Sequence, residues 1–389
     1  MGPQRRRPRG GRLACVAGVA ASVVFVSGPG SAVGAGPAPG GDLPVPAPTV
    51  STTPKNKPKD KPKNKKKPGV VAPRAPLSPT PGVLKGPDIP DQRAPAFGAY
   101  LDYGPQGVDR IARLGEWLGG RELRVAHTYL PGDRWSNIEG PQGFLEAWAE
   151  WRRQKADRMF VLNVPMMERN EEGVPDDEVR GLLRHGASGA FDHHFRRLAE
   201  RLVGLGVPDT VIVLGWEMNG MTYTHRCGPN PTDWKRYWKR IVRTMRAVPG
   251  QQFTFDWTPN RGRDAIPWTQ CYPGDDTVDI IGMDSYDQPH GLSFDGQVTE
   301  PYGLQDHVDF AKAHGKPVSY PEWGLFRNGD NAEFMKGMLA WMDRHKPLYH
   351  TITDYCPHGV WQCGANPKAS QIYRSVLSGR SDLVPLPDP

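Results

Sequence analysis

The chain contains the segments Leu214-Gly215-Trp216-Glu217-Met218-Asn219-Gly220 and Val318-Ser319-Tyr320-Pro321-Glu322-Trp323-Gly324, whose glutamates lie 105 positions apart. Each belongs to an apolar run that reaches a glutamate and then breaks at small or turn-forming residues. A buried strand that ends on a carboxylate is costly to maintain unless that carboxylate has a partner or a task. Two such strands predict that both glutamates open into one cleft. Paired carboxylates are the minimum equipment for cleaving a glycosidic bond.

Around these two segments, from residue 91 onward, short apolar runs alternate with amphipathic stretches. The apolar runs predict eight strands: Ala96–Tyr103, Leu123–Tyr129, Arg158–Val164, Thr210–Glu217, Gln252–Trp257, Val278–Tyr286, Pro317–Glu322 and Tyr349–Asp354. The amphipathic stretches predict helices: Gln106–Leu118, Gly143–Ala156, Phe191–Leu205, Asp233–Ala247, Tyr302–His314, Asn331–Arg344 and Lys368–Leu377. The segment Gly262–Asp276 is typical of a long loop.

This alternation predicts an α/β fold of the (β/α)₈ TIM-barrel class, whose strands are buried on both faces. A doubly wound sheet is the alternative, but it usually has a Gly-rich phosphate turn after its first strand, and Tyr103-Gly104-Pro105-Gln106-Gly107 is not that motif. In a barrel, functional residues collect at the C-terminal ends of the strands. Polar residues fall at those ends here: Asp102, His127, Asn163, Glu217, Asn219, Asn260, Asp284, Tyr286, Glu322 and Asp354.

Glu217 ends the fourth predicted strand and Glu322 the seventh, which lie nearly opposite each other in an eight-stranded barrel. The chain resembles glycoside hydrolase family 26, the β-mannanase type of the retaining (β/α)₈ glycosidases, over roughly residues 95–378. Three motifs carry the resemblance: Gly215-Trp216-Glu217-Met218-Asn219-Gly220, Asp279-Ile280-Ile281-Gly282-Met283-Asp284-Ser285-Tyr286 and Pro321-Glu322-Trp323-Gly324. It implies that Glu217 is the acid/base, that Glu322 is the nucleophile and that no cofactor or metal is needed.

Chemistry gives the same assignment a rationale. An acid must stay protonated near neutral pH, which apolar neighbours such as Trp216 or Met218 favour by desolvation. A nucleophile must stay ionised, and a hydrogen bond from Tyr286 would hold and orient it. The structural alternative is that each glutamate caps a helix or pairs with an arginine.

One position departs from the family pattern. The residue before the acid/base is typically histidine in family 26, and here it is Trp216. Tryptophan offers one N–H donor or a stacking face, so the sugar recognised next to the cleavage point is open. The departure predicts a divergent member of the family.

Sugar rings present apolar faces that pack on aromatic side chains, while their hydroxyls need polar partners. The predicted substrate-binding residues meet these two needs: Trp216, Asn219, His127, Asn163, Trp257, Trp323, Trp361 and Asp284. Ordinary packing under loops is the alternative for the tryptophans, and a buried structural hydrogen bond is the alternative for Asp284.

Four cysteines follow the N-terminal region: Cys227, Cys271, Cys356 and Cys363. An even number in an exported chain favours two disulfides, with three connectivities open. We expect Cys356–Cys363, which closes a short loop, and Cys227–Cys271, which joins loops after neighbouring strands. A zinc site at Cys356, His358 and Cys363 is the competitor, although the spacing fits no standard ligand pattern.

The N-terminal region differs in composition from the rest. Residues 1–35 have a basic head, a short apolar stretch and small residues at their end, which predicts a cleaved signal peptide, with a membrane tether as the alternative. Residues 36–90 are rich in Pro and Lys and predict a disordered linker. The catalytic domain is expected at 91–380 and a Pro-rich tail at 381–389.

The sequence thus predicts a secreted, monomeric glycosidase that cuts β-linkages in a mannan- or β-glucan-type polysaccharide by double displacement. The basic linker could attach the protein to an anionic cell-wall polymer; nucleic acid is not expected, because no aromatic residue interleaves the lysines. Two alternatives use the same barrel: a cell-wall-anchored carbohydrate-binding protein without turnover, and a transglycosylase.

Overall fold

Parallel strands alternate with helices throughout residues 95–378, which are the residues that the computed structural model describes. The strands are β1 Ala96–Tyr100, β2 Val125–Tyr129, β3 Met159–Val164, β4 Val211–Leu214, β5 Thr254–Trp257, β6 Ile280–Gly282, β7 Ser285–Tyr286, β8 Val318–Gly324 and β9 Tyr349–Thr353. The helices are α1 Gly104–Trp117, α2 Trp135–Ile138, α3 Glu146–Arg153, α4 Asp176–Ser188, α5 Asp192–Gly204, α6 Pro231–Arg246, α7 Phe294–Thr299, α8 Leu304–Ala313, α9 Ala332–His345 and α10 Pro367–Leu377.

The strands close into a barrel. β1 to β6 pair in chain order, β9 pairs with both β1 and β8, and β6 pairs with β8, all in parallel. The predicted TIM barrel is confirmed, with one correction in the sixth strand. Val278–Tyr286 is not continuous: β6 ends at Gly282, and β7 resumes at Ser285 along the end of β8. Between them Asp284 forms an isolated bridge with Asn260.

The alternation of side chains along each strand builds two apolar layers. Val211 and Val213 of β4 point into the barrel, where they pack with Val125 and Val161. Ile212 and Leu214, at the intervening positions, belong to the larger core between the strands and the helices. This period of two follows from the pleat of a strand. It decides which residues at a strand end reach the barrel mouth.

The helices correct the sequence analysis in two respects. α2, α4 and α7 were not predicted, and α6 begins at Pro231 with the Asn230 side chain accepting a hydrogen bond from Asp233 N–H. In α4 two glycines weaken the helical signal. Gly186 has a packing reason, because a Cβ there would lie 2.7 Å from the ring of Tyr237 on α6.

Both expected disulfides are present, with Cα–Cα distances of 6.1 Å for Cys227–Cys271 and 4.8 Å for Cys356–Cys363. The zinc alternative is wrong, since two of its three proposed ligands are bonded to each other. Within residues 95–378, every helix is too short or too polar to cross a membrane. The predicted signal peptide, linker and tail lie outside the described residues.

Candidate active site

The chain turns sharply after β4 and brings Glu217 to the barrel mouth. Gly215 has φ +58°, and a Cβ there would lie 2.4 Å from Met166 Sδ. Glu217 itself has φ +48°, a left-handed conformation that is unusual for a residue other than glycine, and its N–H donates to the Thr258 carbonyl at 2.8 Å. Backbone strain of this kind persists where the surroundings fix it, and it clusters at functional sites.

A bulge in β8 brings Glu322 to the same mouth. Tyr320 and Trp323 both face the outer core, although positions three apart would face opposite sides of a regular strand, and the register with β9 shifts between these two positions. Without that irregularity, Glu322 would point outward like Tyr320. The extra residue instead turns the Glu322 carboxylate into the barrel.

Three donors hold the Glu322 carboxylate. The Tyr286 hydroxyl donates to Oε2 at 2.7 Å, and Asn163 Nδ2 donates to Oε1 at 3.2 Å. The Tyr129 hydroxyl is a third donor close to the carboxylate, and it too lowers the pKa of Glu322. Burial raises the pKa of Glu322, and these hydrogen bonds oppose the rise because they bind the ionised form.

A further layer fixes two of these donors. His127 Nε2 contacts Asn163 Oδ1 at 2.9 Å, His127 Nδ1 contacts Thr351 Oγ1 at 2.9 Å, and the Tyr286 hydroxyl contacts Thr353 Oγ1 at 2.7 Å. Burial lowers the pKa of His127 to about 4, so the imidazole is neutral. The predicted sugar contacts of His127 and Asn163 are corrected: both are fully buried and serve the carboxylate instead.

Glu217 lies in a different environment. None of the described residues donates a hydrogen bond to its carboxyl group, and the residue as a whole is only 7% exposed. Burial raises the pKa of Glu217 well above its ordinary value, and the nearby Glu322 and Asp264 carboxylates raise it further. Glu322, which has donors close to its carboxylate, therefore ionises more easily than Glu217, to which none of the described residues donates.

Asp284 is close to both glutamates. It is fully buried, and burial raises its pKa well above the ordinary value, with the charges of Glu322 and Glu217 adding to the rise. Its burial favours the structural alternative, and its predicted contact with substrate stays a prediction. Asp256, deeper in the barrel, is held by Ser319, Thr258 and Tyr349.

Asn219 is also a structural residue. Its Nδ2 donates to the Asn260 carbonyl at 2.9 Å, and its Oδ1 accepts from the Asn260 N–H at 2.8 Å. Since both ends of the fully buried amide are engaged, the predicted sugar contact is corrected. Asn219 instead ties the loop after β4 to the loop after β5.

Two of the tryptophans predicted to stack on sugar rings do not lie at the barrel mouth. Trp257 and Trp323 are fully buried in the outer core, where Trp257 packs against Trp268 and Trp323 against Tyr373. Each follows a residue that points inward, Asp256 or Glu322, so the strand pleat sends the tryptophan outward.

The other two tryptophans remain candidates. Trp216 is 3% exposed and packs edge-on against Tyr129, at 5.6 Å between ring centroids, and against Tyr223, at 5.0 Å. It thus backs a tyrosine that holds Glu322. Trp361 is half-buried in the loop after β9, where its backbone N–H donates to Asp354 Oδ1 at 2.9 Å.

A group of tyrosines lies beside Glu322, and the sequence indicates only Tyr129 of this group, at the end of a predicted strand, as aromatic surface for a sugar. Tyr100 contacts Tyr103, Tyr129 and Tyr355, with ring centroids 4.7 to 6.0 Å apart, and Tyr103 is 40% exposed. The tyrosines supply aromatic surface on the Glu322 side of the mouth.

A closed (β/α)₈ barrel collects functional residues at its C-terminal mouth, and two buried glutamates come together there. Paired carboxylates are the groups that cleavage of a glycosidic bond uses. The family model described as glycosyl hydrolase family 26 matches residues 205–324, a segment that contains both glutamates. The predicted resemblance to family 26 is thereby confirmed for this segment, and it supports a glycoside hydrolase that is divergent from the family.

Solved structures agree on the fold. The catalytic domain of a GH26 endo-β-1,4-mannanase from Bacillus sp. JAMB-750 has a TM-score of 0.55 and 17% identity, over 72% of this chain and 86% of that one. A GH26 β-mannanase from Bacteroides ovatus has a TM-score of 0.54 and 15% identity, over 76% and 91%. A Bacillus subtilis mannanase has a TM-score of 0.53 and 17% identity, over 73% and 85%. No curated protein matches the sequence.

Proposed function

We propose that this protein is a secreted glycoside hydrolase that cleaves internal β-linkages of a mannan-type polysaccharide with retention of configuration. Glu322 is the nucleophile and Glu217 is the acid/base. The observation that carries the proposal is the asymmetry between the two glutamates. Hydrogen bonds from Tyr286 and Asn163, with the nearby Tyr129 hydroxyl, favour ionised Glu322, whereas the described residues around Glu217 contribute burial and like charges.

The reaction follows from this asymmetry. Protonated Glu217 donates its proton to the glycosidic oxygen as Glu322 attacks the anomeric carbon, so that the leaving sugar departs with the bonding electrons. A covalent glycosyl ester on Glu322 results. Glu217, now ionised, takes a proton from water, and the resulting attack releases the sugar and restores both carboxyl groups.

The donors of Glu322 have a role beyond ionisation. Tyr286 and Asn163 engage different oxygens of the carboxylate, so the plane of the group is fixed before substrate arrives. Such pre-organisation lowers the cost of reaching the attacking geometry. Tyr286 therefore orients the nucleophile, as the sequence predicts.

The substrate class is inferred from the relatives. The structures of similar fold are described as β-mannanases or endo-β-1,4-mannanases. The exposed Tyr103 gives the mouth an aromatic surface suited to sugar rings. Export is supported by the basic and apolar N-terminal residues and by two disulfides, which persist in oxidising compartments.

The test is a reducing-sugar assay over mannan, mixed-linkage glucan and xylan, with proton NMR of the first product. We expect new reducing ends from mannan, first released as the β-anomer, and no measurable activity in Glu322→Ala. Glu217→Ala should be slow on polysaccharide and recover with added azide, which needs no general base. Products enriched in longer oligosaccharides would identify a transglycosylase, and binding without release of reducing ends would identify a non-catalytic barrel.

A further inference from the structure

Asp264 belongs to the loop after β5, which is fastened to the turn that carries Glu217. Asn219 clamps Asn260 through both of its amide atoms, and the Asn219 carbonyl accepts from the N–H groups of Ala265 and Ile266 at 3.1 and 3.2 Å. The loop around Asp264 is thus fixed to the residue two positions after Glu217. Such a fixed contact lets one loop set the environment of the other.

The Asp264 carboxylate itself has a defined position. Asn260 Nδ2 donates to its Oδ2 at 2.9 Å, and that same oxygen lies 3.0 Å from the place where a Cβ on Gly220 would be. Gly220 closes the Glu217 turn, since its N–H donates to the Glu217 carbonyl at 3.0 Å. Glycine at this position is what lets the carboxylate approach the turn.

Backbone strain accompanies this placement. Asp264 has φ +47°, so both it and Glu217 adopt left-handed conformations. An aspartate in this region costs free energy that the surrounding contacts must offset. Neither the family resemblance nor the roles of the two glutamates accounts for a strained acidic residue here.

We propose that Asp264 is a positioning residue for the acid/base, whose negative charge keeps Glu217 protonated until substrate binds. This inference rests on the proposed function. The other titratable groups near Glu217 are Glu322 on β8, Asp284 between β6 and β7, Tyr223 on its own loop and Tyr355 after β9. Among the described residues, Asp264 approaches from the β5 side. Burial raises the pKa of Asp264, and hydrogen bonds from Asn260 and the Ala265 N–H oppose the rise because they favour the ionised form.

Glu322 cannot supply this charge through the whole cycle. Once the glycosyl ester forms, Glu322 is neutral and no longer repels a charge on Glu217. Asp264 forms no covalent bond in either step, so formation of the ester does not remove its carboxylate. It therefore maintains repulsion on Glu217 when the nucleophile has lost its own, which matters for the proton that Glu217 must accept from water.

The test replaces the charge without changing the shape. Asparagine tolerates a left-handed backbone at least as well as aspartate, so Asp264→Asn should fold normally. We expect the pKa of Glu217 to fall by about 0.5–1 unit, since a like charge at this range acts through a partly aqueous medium. Asp343→Asn, on the exposed face of α9, removes the same charge far from the mouth and serves as the control.

The direct measurement is a ¹³C NMR titration of protein labelled at the glutamate carboxyl carbons, with the Glu217 signal assigned by its loss in Glu217→Gln. In Asp264→Asn the midpoint should move down, and the alkaline limb of kcat/KM should move with it. An unchanged midpoint would overturn the inference, as would a rise in KM with an unchanged pH profile. The titration needs no turnover, so its outcome is separate from that of the hydrolysis assay, whose failure would refute the proposed function instead.

Discussion

Removing the Tyr286 hydroxyl should move the acidic limb of the pH profile of kcat/KM to higher pH. Tyr286→Phe deletes the 2.7 Å hydrogen bond to Glu322 Oε2 and leaves the ring in place. A hydrogen bond to a charged group contributes about 1.5–3 kcal/mol, and one pKa unit corresponds to about 1.4 kcal/mol. The pKa of Glu322 should therefore rise by about 1–2 units.

The upward direction of the pKa shift follows from the burial of the Glu322 carboxyl group. Burial already raises the pKa of Glu322, and Tyr286 is one of three donors that oppose the rise. With that donor gone, the carboxyl ionises only at higher pH. The acidic limb of kcat/KM moves up by the same 1–2 units, and activity below that limb falls about 10- to 100-fold.

The assay is kcat/KM against pH for wild type and Tyr286→Phe, with Tyr237→Phe as the matched control. Tyr237 is also fully buried and donates one hydrogen bond, to the Met166 carbonyl at 2.6 Å, but it belongs to α6. The control should lose about 1 kcal/mol of stability and keep the wild-type profile. An acidic limb that stays in place in Tyr286→Phe would refute the assignment of Glu322 as the ionised nucleophile.

Three further outcomes are expected. Replacing Cys227 and Cys271 by serine should lower the free energy of unfolding by about 4 kcal/mol, since the bond closes a loop with a sequence separation of 44; an unchanged denaturation midpoint would contradict this. Trp323→Ala should cost about 3–5 kcal/mol of stability without changing KM, whereas Trp361→Ala should raise KM and leave stability nearly unchanged; the reverse pattern would restore Trp323 as a sugar platform. His127→Ala should lower kcat about tenfold by freeing Asn163, and a rise in KM alone would mean that His127 contacts sugar after all.

The barrel could be predicted from the sequence because its signal is repeated. Apolar runs such as Thr210–Glu217 are buried on both faces and stand between amphipathic helices, and that pattern leaves few other folds. The pair Glu217 and Glu322 could also be predicted, since both end such runs. The helix α4 was missed because Gly186 is selected by contact with Tyr237, a tertiary requirement that weakens the local signal.

The supporting residues were harder to assign. Trp323 and Trp257 were placed at the mouth because they follow strand ends, although the pleat turns them away from it. The inward turn of Glu322 depends on the register shift between β8 and β9, which depends on both strands. Asn219 is polar and next to the site, but its partners belong to another loop. Side-chain direction at a bulge or a left-handed turn is a property of the assembled barrel.

The most direct test of the two-glutamate mechanism is mass spectrometry of the enzyme after reaction with a slowly hydrolysed fluorinated β-mannoside. A retaining mechanism passes through a glycosyl ester, and the label identifies the nucleophile. We predict one added sugar, on the peptide containing Glu322, and none in Glu322→Ala. A label on Glu217, or full turnover with inverted product and no covalent species, would contradict the mechanism.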